Sequence, residues 1–216
     1  MTRDEAVAMI KLQLGFRTTG DSDIVTCLKL AQTNLEGAPV KPWFLLSENS
    51  YIDTTKDESR SVVPTDFLEE YEEAVLRYVP ATLTDGEVDL VKDDYDVLRK
   101  NFFDSDTGTV ETGPPEAYAL VGSYFRIFPT PDDTYRLHLI YYKQDTVLSS
   151  NVENNWLEWV PKLIMGEAGK LYAGPLRDKQ AMQIFGAWAA EGMALLNRQN
   201  MSRMQAGRND QIGGSH

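Results

Sequence analysis

Residues 114–142 read PPEAYALVGSYFRIFPTPDDTYRLHLIYY, and this stretch decides the fold class. Two runs of β-branched and aromatic residues, Tyr124–Phe128 and Tyr135–Tyr142, flank Pro129-Thr130-Pro131-Asp132-Asp133-Thr134. Strand formers on both sides of a proline- and aspartate-rich cluster predict a hairpin. Within the second run, Tyr135, Leu137, Leu139 and Tyr141 alternate with Arg136, His138, Ile140 and Tyr142. One face is therefore apolar or aromatic and the other mixed. The prolines fall at the turn, where a missing N–H costs no ladder hydrogen bond. Nothing here carries chemistry; the stretch reads as the spine of a small sheet.

Upstream, the pattern starts helical. Thr2 is placed to cap a first helix, with Asp4 and Glu5 at its positive end. Val7, Ile10 and Leu14 mark one face, and Gly15 or Gly20 can stop it. A second helix starts at Asp21 or Ser22, carries Ile24, Leu28, Ala31 and Leu35, and ends before Gly37. The two stripes are expected to pack against each other, with Cys27 beside the second as a buried, inert thiol. Beyond Pro39 and Pro42, short strands are predicted at Trp43–Leu46 and Ser50–Thr54, around Ser47-Glu48-Asn49. Further strands are predicted at Glu73–Val79 and, after Asp85-Gly86, at Glu87–Val91. Asp93–Phe102 reads as a short helix, with acids in its first turn and Arg99 and Lys100 in its last.

Downstream, Asn154-Asn155 forms a capping pair before Trp156. Pro161 suits the first turn of a helix running to about Tyr172, with Gly174-Pro175 as the break. The longest helical pattern runs from Asp178 to about Met204, with Met182, Phe185, Trp188 or Ala189, Met193 and Leu196 on one side. The fold class is thus α+β and mainly helical: an N-terminal helix pair and C-terminal helices around a small antiparallel sheet, plus an extended C-terminal arm. The expected division is a core over 1–175 and a long helix with its tail over 176–216.

Composition narrows the function. A chain of 216 residues that is 42% hydrophobic can bury a substantial core. No run approaches the ~18 apolar residues of a membrane span, and Asp4 and Glu5 in the N-terminal stretch argue against a secretion signal. One Cys and two His rule out an internal disulfide and an intramolecular thiolate–imidazole zinc site. The net charge of −12 opposes sequence-independent nucleic-acid binding. Residues 176–216 hold five Arg/Lys against three Asp/Glu, so a slightly basic tail adjoins a body at −14.

Catalytic signatures are missing: no Gly-rich phosphate loop, GxSxG, HExxH or CxxC is present. His138 on a strand's mixed face reads as packing or surface rather than a base. Asp104, Asp106 and Glu111 around Gly108 raise calcium, but neither the glycine nor the final acid meets EF-hand spacing, and a solvated loop is the expectation. Acidic pairs abound (Glu69, Glu70, Glu72, Glu73; Asp93, Asp94, Asp96), as they do in any acidic chain. No cofactor is implied, and the chain is not expected to be an enzyme.

The order of these pieces resembles a known family. Two helices, PWFLLSE, Val63-Pro64-Thr65-Asp66-Phe67, the 114–144 stretch, Leu148-Ser149 and Asn155-Trp156-Leu157 before a long helix look like the head–tail adaptor (head-completion) proteins of tailed phages, particularly short-tailed ones. The resemblance covers roughly residues 1–200 and implies a structural virion protein. Such proteins form a ring, typically dodecameric, under the portal, extend the DNA channel and offer a docking surface to tail nozzle or fibre proteins. It implies a place in the virion neck, assembly in the host cytoplasm, and DNA passing through without specific binding. Portal protein is the expected partner, and the C-terminal arm the expected docking element, through Arg198, Met201, Arg203, Met204 and Arg208. Two alternatives stay open: another neck or tail-tube component, and a carboxylate-dependent cell-wall hydrolase.

Overall fold

The computed structural model describes residues 1–15, 20–71, 76–78, 88–104, 108–149, 152 and 154–212; the side chains of Asp104 and of residues 204–212 lie outside that description. The chain divides into two compact units, one made of Met1–Leu45 with Gln144–His216 and the other of Leu46–Lys143. Helices α1 (Arg3–Gln13) and α2 (Asp21–Glu36) open the chain and α3 (Tyr95–Asn101) lies in the second unit. Helices α4 (Asn155–Trp159), α5 (Pro161–Leu176) and α6 (Lys179–Ile212) close it. The α+β class follows.

In the helical unit, local chemistry sets the boundaries. Thr2 Oγ1 accepts the Glu5 N–H at 3.2 Å while the Glu5 carboxylate accepts the Thr2 N–H at 2.8 Å, a reciprocal capping box. Val7, Ile10, Leu14, Ile24, Leu28, Ala31 and Leu35 are all buried, as their spacing predicts. Their partners differ from expectation. Helix α2 rests mainly on α5, and α1 touches both more lightly. Helices α5 and α6 meet backbone to backbone. A Cβ on Gly192 would sit 2.4 Å from the Leu163 nitrogen, and one on Gly166 2.4 Å from the Ala189 nitrogen. No side chain larger than hydrogen fits there.

Gly174-Pro175 does not break α5, which runs on to Leu176. Left-handed Arg177 (φ +54°) ends it, with Arg177 N–H donating to Gly174 O at 3.0 Å and Asp178 N–H to Ala173 O at 3.3 Å. These two closing bonds offset the one that Pro175 cannot donate. The buried stripe of α6 is Ala181, Phe185, Ala189, Gly192 and Leu196; Met182, expected among them, is 42% exposed. A buried polar cluster ties the 144–156 segment to α2. Glu36 Oε1 accepts from Gln32 Nε2 at 2.8 Å, Asp145 N–H at 3.2 Å and Trp156 Nε1 at 3.3 Å. Asn154 caps α4 as the sequence predicts.

The second unit contains β1 (Leu46–Asp53), β2 (Arg60–Val62), β3 (Phe67–Glu70), β4 (Leu76–Tyr78), β5 (Val88–Asp89) and β6 (Val91–Lys92). After α3 come β7 (Phe103–Asp104), β8 (Thr109–Val110), β9 (Thr112–Gly113), β10 (Ala117–Val121), β11 (Tyr124–Phe128), β12 (Thr130–Pro131) and β13 (Arg136–Lys143). One sheet has the order β1-β13-β4-β5 with β3 also on β13; another runs β2-β11-β10-β6. Both contribute to one core of Leu76, Leu90, Tyr118, Phe125, Ile127, Leu137, Leu139 and Tyr141. Helix α3 covers the other face of the second sheet, over Ala117, Ala119 and Phe128.

The predicted hairpin is corrected. Strands β11 and β13 do not pair; each belongs to a different sheet. The hairpin is β10–β11, closed by Gly122-Ser123, with Val121 opposite Tyr124 and Gly122 at φ +61°. A two-residue turn with a positive-φ glycine matches the strand twist. The longer 129–134 segment instead crosses over, pairing Pro131 with Gly113 on the way. In the second run Leu137, Leu139 and Tyr141 are buried and Arg136 is exposed as the alternation predicts, but His138 on the mixed face is buried too.

Trp43–Leu45 is a 3-10 turn rather than the strand expected at Trp43–Leu46, and the strand expected at Ser50–Thr54 starts earlier, as β1 from Leu46 to Asp53, with a bulge between Ser47 and Ser50. The Glu87–Val91 strand splits: Val88–Asp89 and Val91–Lys92 join different sheets, and Leu90 between them is buried. Of Glu73–Val79, the described part, Leu76–Tyr78, is strand, and Glu87 lies outside the described residues.

Candidate interaction site

The distal half of α6 holds every expected docking residue. Its last buried side chain among those described is Leu196, yet the helix continues to Ile212. Arg198 is exposed and Met201 is 62% exposed. By the helical period, positions 198, 201, 204 and 208 fall on one face and 203 on the opposite one. The side chains of Met204 and Arg208 are outside the described set. No acid occurs between Glu191 and Asp210, so the segment's charge is three arginines.

Arg203 is used by the chain itself. Its guanidinium lies over the Trp43 ring, 3.4 Å from the centroid, within cation–π range. One turn earlier, Asn200 Oδ1 accepts the Trp43 N–H at 3.1 Å while its Nδ2 donates to Lys41 O at 3.2 Å. Trp43 also packs edge-on against Trp159, centroids 5.1 Å apart. This clasp of Lys41, Trp43, Asn200 and Arg203 was not legible in the sequence, because the partners lie far apart along the chain and no periodic pattern joins them. Trp43 Nε1 and Gln199 Oε1 are buried without a hydrogen-bond partner, and such atoms each cost about 1–3 kcal/mol.

Residues weighed for chemistry serve the fold. His138 sits against the Glu48 carbonyl and stacks on Tyr51, centroids 5.0 Å apart. Cys27 is half-buried rather than buried, and its partial burial, then the charge of Asp23, pushes the thiol up, which suits an inert thiol. Asp94 caps α3, accepting the Asp96 N–H at 2.9 Å, and Glu70 pairs with Lys92. Glu72, Glu73 and Asp106 lie outside the described residues. Among the described residues, no three His, Cys, Asp or Glu are grouped to hold a metal ion, and no helix is long and apolar enough to cross a membrane.

Among the described residues no reactive cluster forms, and a helix runs past its own core. The family model of the SU10 adaptor protein matches residues 1–213. The chain belongs to the SU10 adaptor protein family. The match spans both units and the whole of α6, and it accords with the head–tail adaptor resemblance of Val63–Phe67, Phe128–Tyr142 and Asn155–Leu157. SU10 adaptor membership makes the chain a structural adaptor of a phage particle. No curated protein matches it.

Proposed function

We propose that this adaptor assembles as a homo-oligomeric ring, dodecameric by family resemblance, beneath the portal of a filled capsid. The ring extends the DNA channel and offers the tail nozzle or fibre proteins a docking surface. The division into core 1–175 and arm 176–216 is then one of role. The observation that carries this reading is the run of α6 beyond Leu196, with Arg198 and Met201 exposed on a face turned away from the Trp43 clasp. Arginine pairs bidentately with carboxylates and methionine adapts to irregular apolar pockets, which suits a mixed portal groove. Weak contacts repeated around a ring add through multivalency. The acidic body gives a channel wall that does not grip the DNA backbone, and the role needs no catalysis.

The test is co-sedimentation of the full chain with portal rings. Arg198→Glu combined with Met201→Asp, which leaves the clasp intact, is expected to weaken binding at least tenfold. Unchanged binding overturns α6 as the docking element. Association with tail-tube protein and not portal assigns the chain to another neck position. Saturable peptidoglycan hydrolysis lost in a single carboxylate variant would make it a hydrolase.

A further inference from the structure

The face of the second sheet that carries α3 is only partly covered. Cross-strand register places Arg126 opposite both Ala119 and Arg60, and Tyr124 opposite both Val121 and Val62. Helix α3 covers Ala117, Ala119 and Phe128, and its cover ends where Arg126 stacks on Tyr95, 5.5 Å from the ring centroid. Beyond that edge Val62 is 67% exposed, Tyr124 41% and Val121 40%, with Arg60 exposed beside them.

Two arginines directly opposite each other are unfavourable in a sheet. Yet among the described residues neither guanidinium has a carboxylate partner, and Arg126 Nε is buried with no acceptor. The chain carries 33 acids against 21 bases, so carboxylates are plentiful on any second copy. A carboxylate entering between Arg60 and Arg126 would turn the repulsion into a bridged pair. The row of Val62, Tyr124 and Val121 next to it is the aromatic, apolar and arginine mixture of a protein interface centre rather than of a phosphate track.

We propose that Arg60, Arg126, Val62, Val121 and Tyr124 form the lateral surface on which the next copy of this chain docks, through its own carboxylates. Charge complementarity picks the occupant: the cationic patch is local, and residues 1–175 of every copy sum to −14. A patch meeting a different surface on its neighbour is a heterologous contact, the kind that closes into rings. The inference rests on the ring reading above and names the side-to-side contact within it.

The experiment uses full-length protein, alone and added to portal rings, followed by native mass spectrometry and binding isotherms. Wild type is expected to self-associate or to saturate portal rings cooperatively. Arg60→Glu and Val62→Ser are each expected to abolish self-association and flatten the isotherm, with at least a tenfold rise in half-saturation. Arg60→Lys should recover part of the loss. Circular dichroism and melting of Arg60→Glu, an exposed site, report whether the fold is kept. A folded Arg60→Glu/Val62→Ser variant that assembles like wild type overturns the proposal while leaving portal docking standing. A wild type that neither self-associates nor binds portal defeats both. If the variants lose binding to duplex DNA and keep cooperative assembly, the patch is a nucleic-acid contact and the proposal fails.

Discussion

Arg203 stacks on Trp43, its guanidinium carbon 3.4 Å from the ring centroid. The pair pins α6 to the 3-10 turn seven residues beyond its last buried side chain among those described, Leu196, and Asn200 adds a hydrogen bond one turn earlier, so the helix leaves the body from a fixed point. Arg203→Ala is expected to cost ~0.5–2 kcal/mol and to change the Trp43 emission. Truncation before Arg198 also deletes Asn200 and Arg203, so it should melt earlier than truncation before Met204. Equal melting of the two truncated proteins would show that the clasp contributes nothing.

The approach of α5 and α6 separates two glycines of one helix. At Gly192 an added Cβ meets the Leu163 backbone, whereas at Gly186 nothing lies within 4 Å. Gly192→Ala is expected to destabilise by about 1–3 kcal/mol or more, lowering Tm by roughly 2–4 °C per kcal/mol. Gly186→Ala should be neutral or stabilising by up to ~1 kcal/mol. Thermal melts of the two variants check this, and a neutral Gly192→Ala refutes the close packing.

Glu36 is 7% exposed and its Oε1 serves three donors from Gln32, Asp145 and Trp156. Glu36→Ala strands all three and is expected to cost about 2–4 kcal/mol, since each buried unsatisfied group costs ~1–3 kcal/mol and the site relaxes in part. Glu36→Gln keeps an acceptor oxygen and should lose less than half as much. Urea unfolding of both variants gives the comparison; equal losses would rule out the acceptor role.

Tyr141 titrates above its ordinary value, through burial first and then the hydrogen bond it donates to Asp66 at 2.9 Å. The folded chain therefore holds this proton more tightly than the unfolded one. Its contribution is complete below the unfolded pKa of about 10 and is lost as pH rises through the folded value. Stability should fall above about pH 10, and Tyr141→Phe should flatten that limb while lowering stability at neutral pH. Tyr135, raised to about 12 by the Asp132 hydrogen bond, is too exposed to contribute comparably. Identical alkaline limbs in wild type and Tyr141→Phe would exclude Tyr141 as the source.

Sequence reading reached the helix starts of this protein because they are decided within four or five residues. Thr2 with Glu5, Asp94, Asn154 and Pro161 each satisfy or spare N–H groups at a helix start, an effect of about 1 kcal/mol that needs no distant partner. The alternation of Leu137, Leu139 and Tyr141 likewise marked their core face. The docking candidates Arg198, Met201, Arg203, Met204 and Arg208 were picked from the sequence as basic and adaptable residues of a C-terminal arm, while the clasp that takes up Arg203 was not legible.

Tertiary structure decided the pairings. Tyr124–Phe128 fits a partner on either side, and the choice of β10 over β13 turns on the Gly122 turn and on which sheet buries Phe125 and Ile127. Pro175 stays helical because Arg177 and Asp178 close the last turn behind it. Trp43 is a turn because α6 supplies Asn200 and Arg203 to hold it. In each case the local preferences differ by less than the burial and hydrogen bonding that a distant segment contributes, so the distant segment chooses.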